Sequence, residues 1–365
     1  MSQTVAVAFG GASNENEISV ITGTMAANVL KSGGARVLPL YYSQSGELYA
    51  GDELADISTF KAGGYKSATR AIIADGGVYF LSKRGKIKKF TPVDCVLNCC
   101  HGGWGEGGGL AGVCAAAKLP LAGAGAFESA GFIDKYLTKI ILQGLGVKFV
   151  PFSYIKSVEE IDSCGNMPEF PLIVKPATLG SSIGVVKAEN AEELKEAVEC
   201  ALLYDSAVIV EKFIENRREI NCAAIYADNK ALVSECEEAV PSGELLSFED
   251  KYKGGGKSVM PADIPQLTAT YIKNTTRSVF EKLNMRGIVR FDYILSGDDV
   301  YLSEINTVPG SLAYYLFCGS FREFYKVLNA VIEQAEADFA AGRKKLLTTG
   351  ILENMPSNAC KSGAK

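Results

Sequence analysis

The stretch YLSEINTVPG, residues 301–310, ends an apolar strand pattern with a carboxylate and an amide, then turns at a Pro-Gly. Side chains alternate across a strand, so Glu304 and Asn306 share one face. Two oxygen donors on one face suit either a solvated sheet edge or half of a hard-metal site. Upstream, the run from Ile288 to Asn306 holds one turn signal, SGDD, which predicts a hairpin with a three-residue loop at Gly297–Asp299. That register sets Asp292 opposite Glu304 and Arg290 opposite Asn306, all four on one face. Two carboxylates and an amide are ligands that magnesium takes alongside substrate phosphates.

A second segment speaks to phosphates. In KPATLGSSIG, residues 175–184, two glycines and two serines join two β-like runs and offer free N–H groups and hydroxyls, with Lys175 at a strand end. An ordinary hairpin with a surface lysine is the plainer reading. Two other glycine-rich stretches are weaker matches to nucleotide loops. GWGEGG (103–108) fits a dinucleotide fingerprint, but the strand that should end in an acid reads PLAGAG. KYKGGGKS (251–258) has Lys251 where a phosphate loop needs its first glycine.

These groups need a scaffold, and 365 residues are enough for two or three domains. The first third alternates strand and helix: TVAVAFGG, then a helix over 18–34, then RVLPLYY, PVDCVLNCC and a helix over 109–119. That alternation predicts a parallel sheet with ligands at its carboxyl edge, with hairpins and insertions over 45–90. A second block runs from a helix over 132–146 to the strand SAVIVEKFI, residues 206–214. A third holds EINCAAIYA, a loop-rich stretch over 241–263, a helix near 264–284, the hairpin and a last helix near 320–340. The boundaries expected are 1–125, 126–214 and 215–348, with a polar, flexible tail at 349–365.

Composition narrows the class. A net charge of −5 without any block of like charge argues against nucleic acid as partner. Nothing approaches a membrane span or a signal segment, so the cytoplasm is expected. Ten cysteines, with no C-x-x-C pair, read as buried thiols in a reducing compartment. His101, the only histidine, excludes a multi-histidine zinc site.

With these segments in order along the chain, the sequence resembles the ATP-grasp superfamily and, within it, the D-alanine–D-alanine ligases. The resemblance rests on VAVAFGGASNENEIS, HGGWGEGGGLAG, DKYLTK, IVKPATLGSSIGV, VEKFI, FEDKY and VRFDY…YLSEINTVPG, which span nearly the whole chain. It implies an α/β ATP-grasp fold behind a Rossmann-like N-terminal domain. It implies ATP-driven joining of two D-alanines through an acylphosphate, for peptidoglycan precursors, with two magnesium ions that manganese can replace. By position, Asp292, Glu304 and Asn306 resemble the metal ligands, Glu304 being shared between the ions. Lys135 and Lys175 resemble the phosphate-binding lysines, and Glu211, Lys212, Phe213 and Ile214 the adenine hinge. Glu219, one residue beyond the expected position, matches the ribose contact. Glu15 resembles the carboxylate that holds the first substrate's ammonium, with Ser181 and Tyr252 hydrogen-bonded to it. Lys251 resembles the lysine of a lid over about 243–262, Arg290 and the N–H of Gly310 the oxyanion stabilisers, and His101 a histidine near the first substrate. The resemblance also implies small-molecule substrates and a homodimer.

Two departures bear on the acceptor. Where the family has a serine-leucine pair, this chain has Tyr315 and Leu316, and Gly107 replaces an expected acid beside Glu106. D-Serine, D-lactate or another amino acid is the alternative acceptor. An NAD-dependent oxidoreductase using GWGEGG and a non-catalytic ATP-binding regulator are the readings from other classes.

Overall fold

The structure is a computed structural model that describes residues 3–245, 249–250, 255–342 and 349–355. The lid residues Lys251 and Tyr252, part of the expected lid, and most of the tail lie outside the described residues. Among the described residues no helix is long and apolar enough to cross a membrane.

The strand–helix alternation of the first third folds as its pattern requires. Strand β1 (Thr4–Gly10), buried along its length, pairs in parallel with β2 (Arg36–Tyr42) and with β7 (Cys95–Asn98), which pairs in turn with β8 (Leu121–Ala122). The polar stretch after β2 adds β3 (Leu48–Ala50), β4 (Thr69–Ala74), β5 (Gly77–Leu81) and β6 (Ile87–Pro92), antiparallel, to one edge of the same sheet. Helix α1 (Asn16–Ser32) crosses from β1 to β2, and α2 (Leu110–Ala116) from β7 to β8. The carboxyl ends of β1 and β7 therefore open together, carrying Glu15 and His101 in the loops just beyond them.

The helix expected over 132–146 is two helices, α3 (Ala126–Ile133) and α4 (Lys135–Gly144). Asp134 stands between them in extended backbone, and its carboxylate accepts from the N–H groups of Tyr136 and Leu137. Such a cap stabilises the new helix start by about 1 kcal/mol. It also puts Lys135 in the first turn.

Strands β9 (Phe152–Ile155), β10 (Leu172–Pro176), β11 (Val186–Ala188) and β12 (Val208–Lys212) form a second sheet in the order β11-β10-β12-β9. Helices α5 (Glu160–Ser163) and α6 (Ala191–Leu202) cover it. The third sheet contains β13 (Arg218–Ala227), β14 (Lys230–Val233), β15 (Glu237–Val240), β16 (Lys257–Val259), β17 (Ile288–Ser296) and β18 (Asp299–Asn306). Its apolar face packs on α7 (Gln266–Lys282) in a core that includes Phe280, Phe291 and Tyr293. Helix α8 (Phe321–Ala341) returns to the N-terminal sheet, so Phe324 and Leu328 share a core with Phe9 and Val29.

The β17–β18 hairpin pairs Arg290 with Asn306 and Asp292 with Glu304, as the sequence predicts. Its loop corrects the expectation. Ser296 pairs with Asp299, leaving a two-residue loop, Gly297–Asp298, with Gly297 at φ +58°. The tighter turn displaces the pairing by one residue, and a bulge between Asp292 and Tyr293 restores it by leaving Ser303 as the extra residue of β18. Without the bulge, Glu304 would turn to the apolar face.

Candidate active site

A cleft of about 1010 Å³ runs between the three sheets. Of the residues expected at the site, Glu15, His101, Lys135, Lys175, Ser181, Glu219, Arg290, Asp292, Glu304, Asn306, Gly310 and Tyr315 line it. Glu211, Lys212, Phe213, Ile214 and Leu316 do not. Glu211 is buried beneath the floor, and Leu316 faces the core under α1 and α8.

At the mouth of the N-terminal sheet, the Glu15 carboxylate accepts a hydrogen bond from Ser181 Oγ across 166 residues of chain. Close approach is possible because two neighbours lack side chains. A Cβ on Gly180 would sit 2.8 Å from Glu15 Oε2, and one on Gly102 would sit 2.7 Å from it. The loop is anchored at its start, where Thr178 donates from its N–H and its hydroxyl to Asp205, at 2.6 and 2.9 Å.

Beside Glu15 is a second acid, Glu106, whose carboxylate accepts from the N–H of Gly102 at 2.6 Å. Burial first, and the charge of Glu15 second, push its carboxyl up to about 8, although backbone bonds from Gly102 and Val308 oppose this. His101 is held the other way: burial, then the Arg290 guanidinium, bring it down to about 4, so the ring is neutral at physiological pH. Its Nε2 is 2.8 Å from Thr22 Oγ1, which accepts the N–H of Ser311 at 3.1 Å. Thr22 thus ties the histidine to the turn after Pro309.

That turn is unusual. Ser311, Leu312 and Ala313 all have φ near +50°, a region that costs a non-glycine residue roughly 1–2 kcal/mol. Burial of Leu312, Ala313 and Leu316 between α1 and α8 offsets the strain. The turn carries Gly310 and Tyr315 to the cleft.

On the third sheet, Arg290 grips Asp292 with two parallel bonds, Nε to Oδ1 at 2.7 Å and Nη2 to Oδ2 at 2.8 Å. Asn306 Nδ2 also donates to Asp292 Oδ2, at 2.8 Å, and Arg290 Nη1 is 3.4 Å from the Tyr315 hydroxyl. Glu304, across from Asp292, has Lys135 Nζ 3.7 Å away. Lys135 in turn donates to the Leu179 carbonyl at 2.5 Å, which bends it over the glycine-serine loop. Among the described residues no three His, Cys, Asp or Glu side chains gather as a metal cage. The set is two carboxylates and an amide, hard oxygen donors that fit magnesium with substrate phosphates completing the shell.

Deeper in the second sheet, Glu211 receives two lysines. Lys175 Nζ lies 2.7 Å from Oε2, and Lys139 Nζ lies 2.5 Å from Oε1. Burial alone would raise Glu211, but the two ammonium groups outweigh it and hold the carboxyl at about 2. Phe213 is stacked under Lys187 and Arg217, and Arg217 holds Glu219 at 3.1 Å. Glu237, also at the cleft, accepts from Asn221 and Ser258 at 2.9 and 2.6 Å.

Sequence reasoning passed over Thr22, Lys139 and Glu237. The spacing Lys135–Lys139 is one helical turn and was available as a signal. Thr22 and Glu237 have none, since their roles depend on a turn and a sheet pairing remote in sequence.

Comparison with known proteins identifies the family. The D-ala D-ala ligase N-terminus family model matches residues 4–124, and the D-ala D-ala ligase C-terminus model matches residues 141–333. The chain is 35% identical over 361 residues to the D-alanine–D-alanine ligase of Thermosipho melanesiensis, covering 96% of this chain and 98% of the relative. It is 35% identical over 328 residues to that of Chlorobaculum tepidum, covering 84% and 88%. Among solved structures, the D-alanine–D-alanine ligase of Helicobacter pylori superposes with a TM-score of 0.74 at 27% identity, covering 91% of this chain and 98% of that one. A D-Ala:D-Ser ligase from Enterococcus faecalis superposes with a TM-score of 0.77 at 24% identity, over 92% of this chain and all of that one, a likeness of fold. The fold is therefore ATP-grasp, and the chain belongs to the D-alanine–D-alanine ligase family.

Proposed function

We propose that this protein joins two D-alanines into D-alanyl-D-alanine at the expense of ATP, supplying peptidoglycan precursor synthesis in the cytoplasm. The observation that carries the reading is the position of Lys135. Its ammonium is 3.7 Å from Glu304 and bends over the loop whose Ser181 bonds Glu15. A phosphate-binding lysine, a metal-type carboxylate and an ammonium-binding carboxylate so meet in one cleft.

In this reading Glu15 holds the ammonium of the first D-alanine, oriented by Ser181, with Tyr252 completing the group. The substrate carboxylate attacks the γ-phosphate, giving an acylphosphate and ADP. The amine of the second D-alanine then attacks the acyl carbon, and phosphate leaves. Arg290 and the N–H of Gly310 face the oxygen that becomes negative at the tetrahedral stage, a fixed dipole and charge in a dry site. Neutral His101 lies beside the first substrate without competing for its carboxylate. Lys135, Lys175 and the lid's Lys251 bind phosphates; the hinge Glu211–Ile214 reads adenine and Glu219 the ribose. Asp292, Glu304 and Asn306 would hold two magnesium ions, or manganese, with Glu304 common to both. Those ions, when bound, neutralise charge that grows on the transferring phosphoryl group. The domains are 1–125, 126–214 and 215–348, and the molecule is a homodimer.

Isotope transfer tests the chemistry. D-Alanine labelled with oxygen-18 in its carboxylate should pass one labelled oxygen to the released phosphate. Unlabelled phosphate accompanied by dipeptide would exclude the acylphosphate route.

A further inference from the structure

Lys135 and Lys139 are one turn apart on α4, yet they go to different places. Lys135 reaches the cleft, whereas Lys139 is 1% exposed and lies over the rings of Phe149 and Phe152, at 5.4 and 5.3 Å. Its ammonium meets Glu211 Oε1, and Lys175 takes Oε2. Sheet pairing explains why Glu211 can serve both. Lys175 pairs with Ile209, and Glu211 pairs with Ile173, so Glu211 and Lys175 are diagonal neighbours on one face of β10 and β12.

The charges in this triad sum to plus one. Remove Lys139, and Glu211 faces Lys175 alone. The pair becomes neutral, and the ammonium offered to a nucleotide phosphate is cancelled by a carboxylate 2.7 Å away. With Lys139 present, one carboxylate is shared between two ammoniums, which leaves a net positive charge at the end that opens on the cleft. In a buried setting this difference is poorly screened.

We propose that Lys139 is a positioning residue for nucleotide binding: it occupies one oxygen of Glu211, so that Lys175 is both held in place and left with charge to spare for a phosphate. Glu211 is the intermediary, and Lys139 never touches the substrate. The inference rests on the ligase reading insofar as Lys175 is taken to meet a nucleotide phosphate.

Calorimetric titration with magnesium-ADP tests it without requiring turnover. Wild-type protein should bind; no binding at all would sink the ligase reading rather than this inference. K139Q should weaken ADP binding about tenfold or more while the KM for D-alanine stays within about twofold. K139R should restore most of the affinity. The decisive comparison is made in the E211Q background: whatever E211Q itself does to ADP binding, adding K139Q to it should change the affinity by less than about threefold, because Lys139 acts only through the Glu211 carboxylate. Should K139Q fail to fold, K139R and the comparison of K139Q/E211Q with E211Q carry the test, since none of these leaves a Glu211 carboxylate facing Lys175 alone. Unchanged ADP affinity in K139Q would overturn the proposal. So would a K139Q/E211Q variant that binds ADP about tenfold or more weakly than E211Q alone, because that is the signature of packing alone.

Discussion

Asp292 stands directly opposite Glu304 across the β17–β18 hairpin, and the bulge that keeps the two acids on the cleft face begins at the very next pair. Arg290 and Asn306 both bond Asp292, so its carboxylate is fixed in orientation within the cleft. Asp292→Asn or Glu304→Gln should therefore lower kcat by about a hundredfold or more, because a lost carboxylate would loosen the cations that counter charge growing in the transition state. Chelator should abolish activity and magnesium restore it. Normal turnover by both variants, with an unchanged magnesium requirement, would contradict the metal assignment.

The Glu15–Ser181 bond joins the N-terminal sheet to the glycine-serine loop. Ser181→Ala leaves Glu15 in place but unoriented, so the KM for the first D-alanine should rise about tenfold, with a smaller change for ATP. Gly180→Ala should do more damage, since its Cβ would press into the Glu15 carboxylate. Steady-state kinetics at varied D-alanine separate these; a Ser181→Ala enzyme altered only toward ATP would count against the role.

Two titratable groups beside the cleft, the half-buried Glu106 and the buried His101, give stability opposite pH slopes. Unfolded, Glu106 loses its proton near 4.5, while the folded carboxyl keeps it to about 8. Its contribution therefore falls as pH rises through that window. His101 protonates near 6.5 when unfolded but only at about 4 when folded, so its contribution falls as pH drops from 6.5 to 4. Glu106→Gln cannot ionise, so its stability relative to wild type should improve steadily from about pH 5 to about pH 8.5 in urea unfolding. A constant offset across that range would show that Glu106 is not held protonated.

In the proposed reading Tyr315 would hold the acceptor carboxylate; it lines the cleft, and its hydroxyl is 3.4 Å from Arg290. Tyr315→Ser should change the KM for the second D-alanine several-fold more than that for ATP, and should admit bulkier acceptors. Tyr315→Phe keeps the bulk and loses the bond, so it should leave acceptor size selection intact. Equal effects on ATP and acceptor would remove Tyr315 from the acceptor site.

What could be read from the sequence was the chemistry carried by local pattern. Alternation along VRFDY and YLSEIN put Arg290, Asp292, Glu304 and Asn306 on one face. The three-residue loop expected at Gly297–Asp299 is wrong: the turn takes two residues, and only the bulge at Ser303 reconciles the shorter loop with that face. The helix break at Asp134 was hidden inside an apolar pattern, though the aspartate is a cap of the usual type. The one-turn spacing puts Lys139 on the same side of its helix as Lys135, but its burial depends on Glu211 in a strand that arrives some seventy residues later. Thr22 and the left-handed turn at Ser311–Ala313 depend on α1 and α8 packing together, which no local window contains.

The acceptor must arrive as an ammonium and lose a proton before it attacks, and an amine near pKa 9–10 makes that step easier as pH rises. Release of ADP should therefore be measured with D-alanine, D-serine, L-alanine and D-lactate as acceptors, from neutral to mildly alkaline pH, with products identified by mass. The account predicts D-alanyl-D-alanine as the main product, D-alanyl-D-serine next, no reaction with L-alanine, and a rate that climbs with pH. Release of ADP that ignores D-alanine, or ester formation with D-lactate at neutral pH as fast as dipeptide formation, would contradict it.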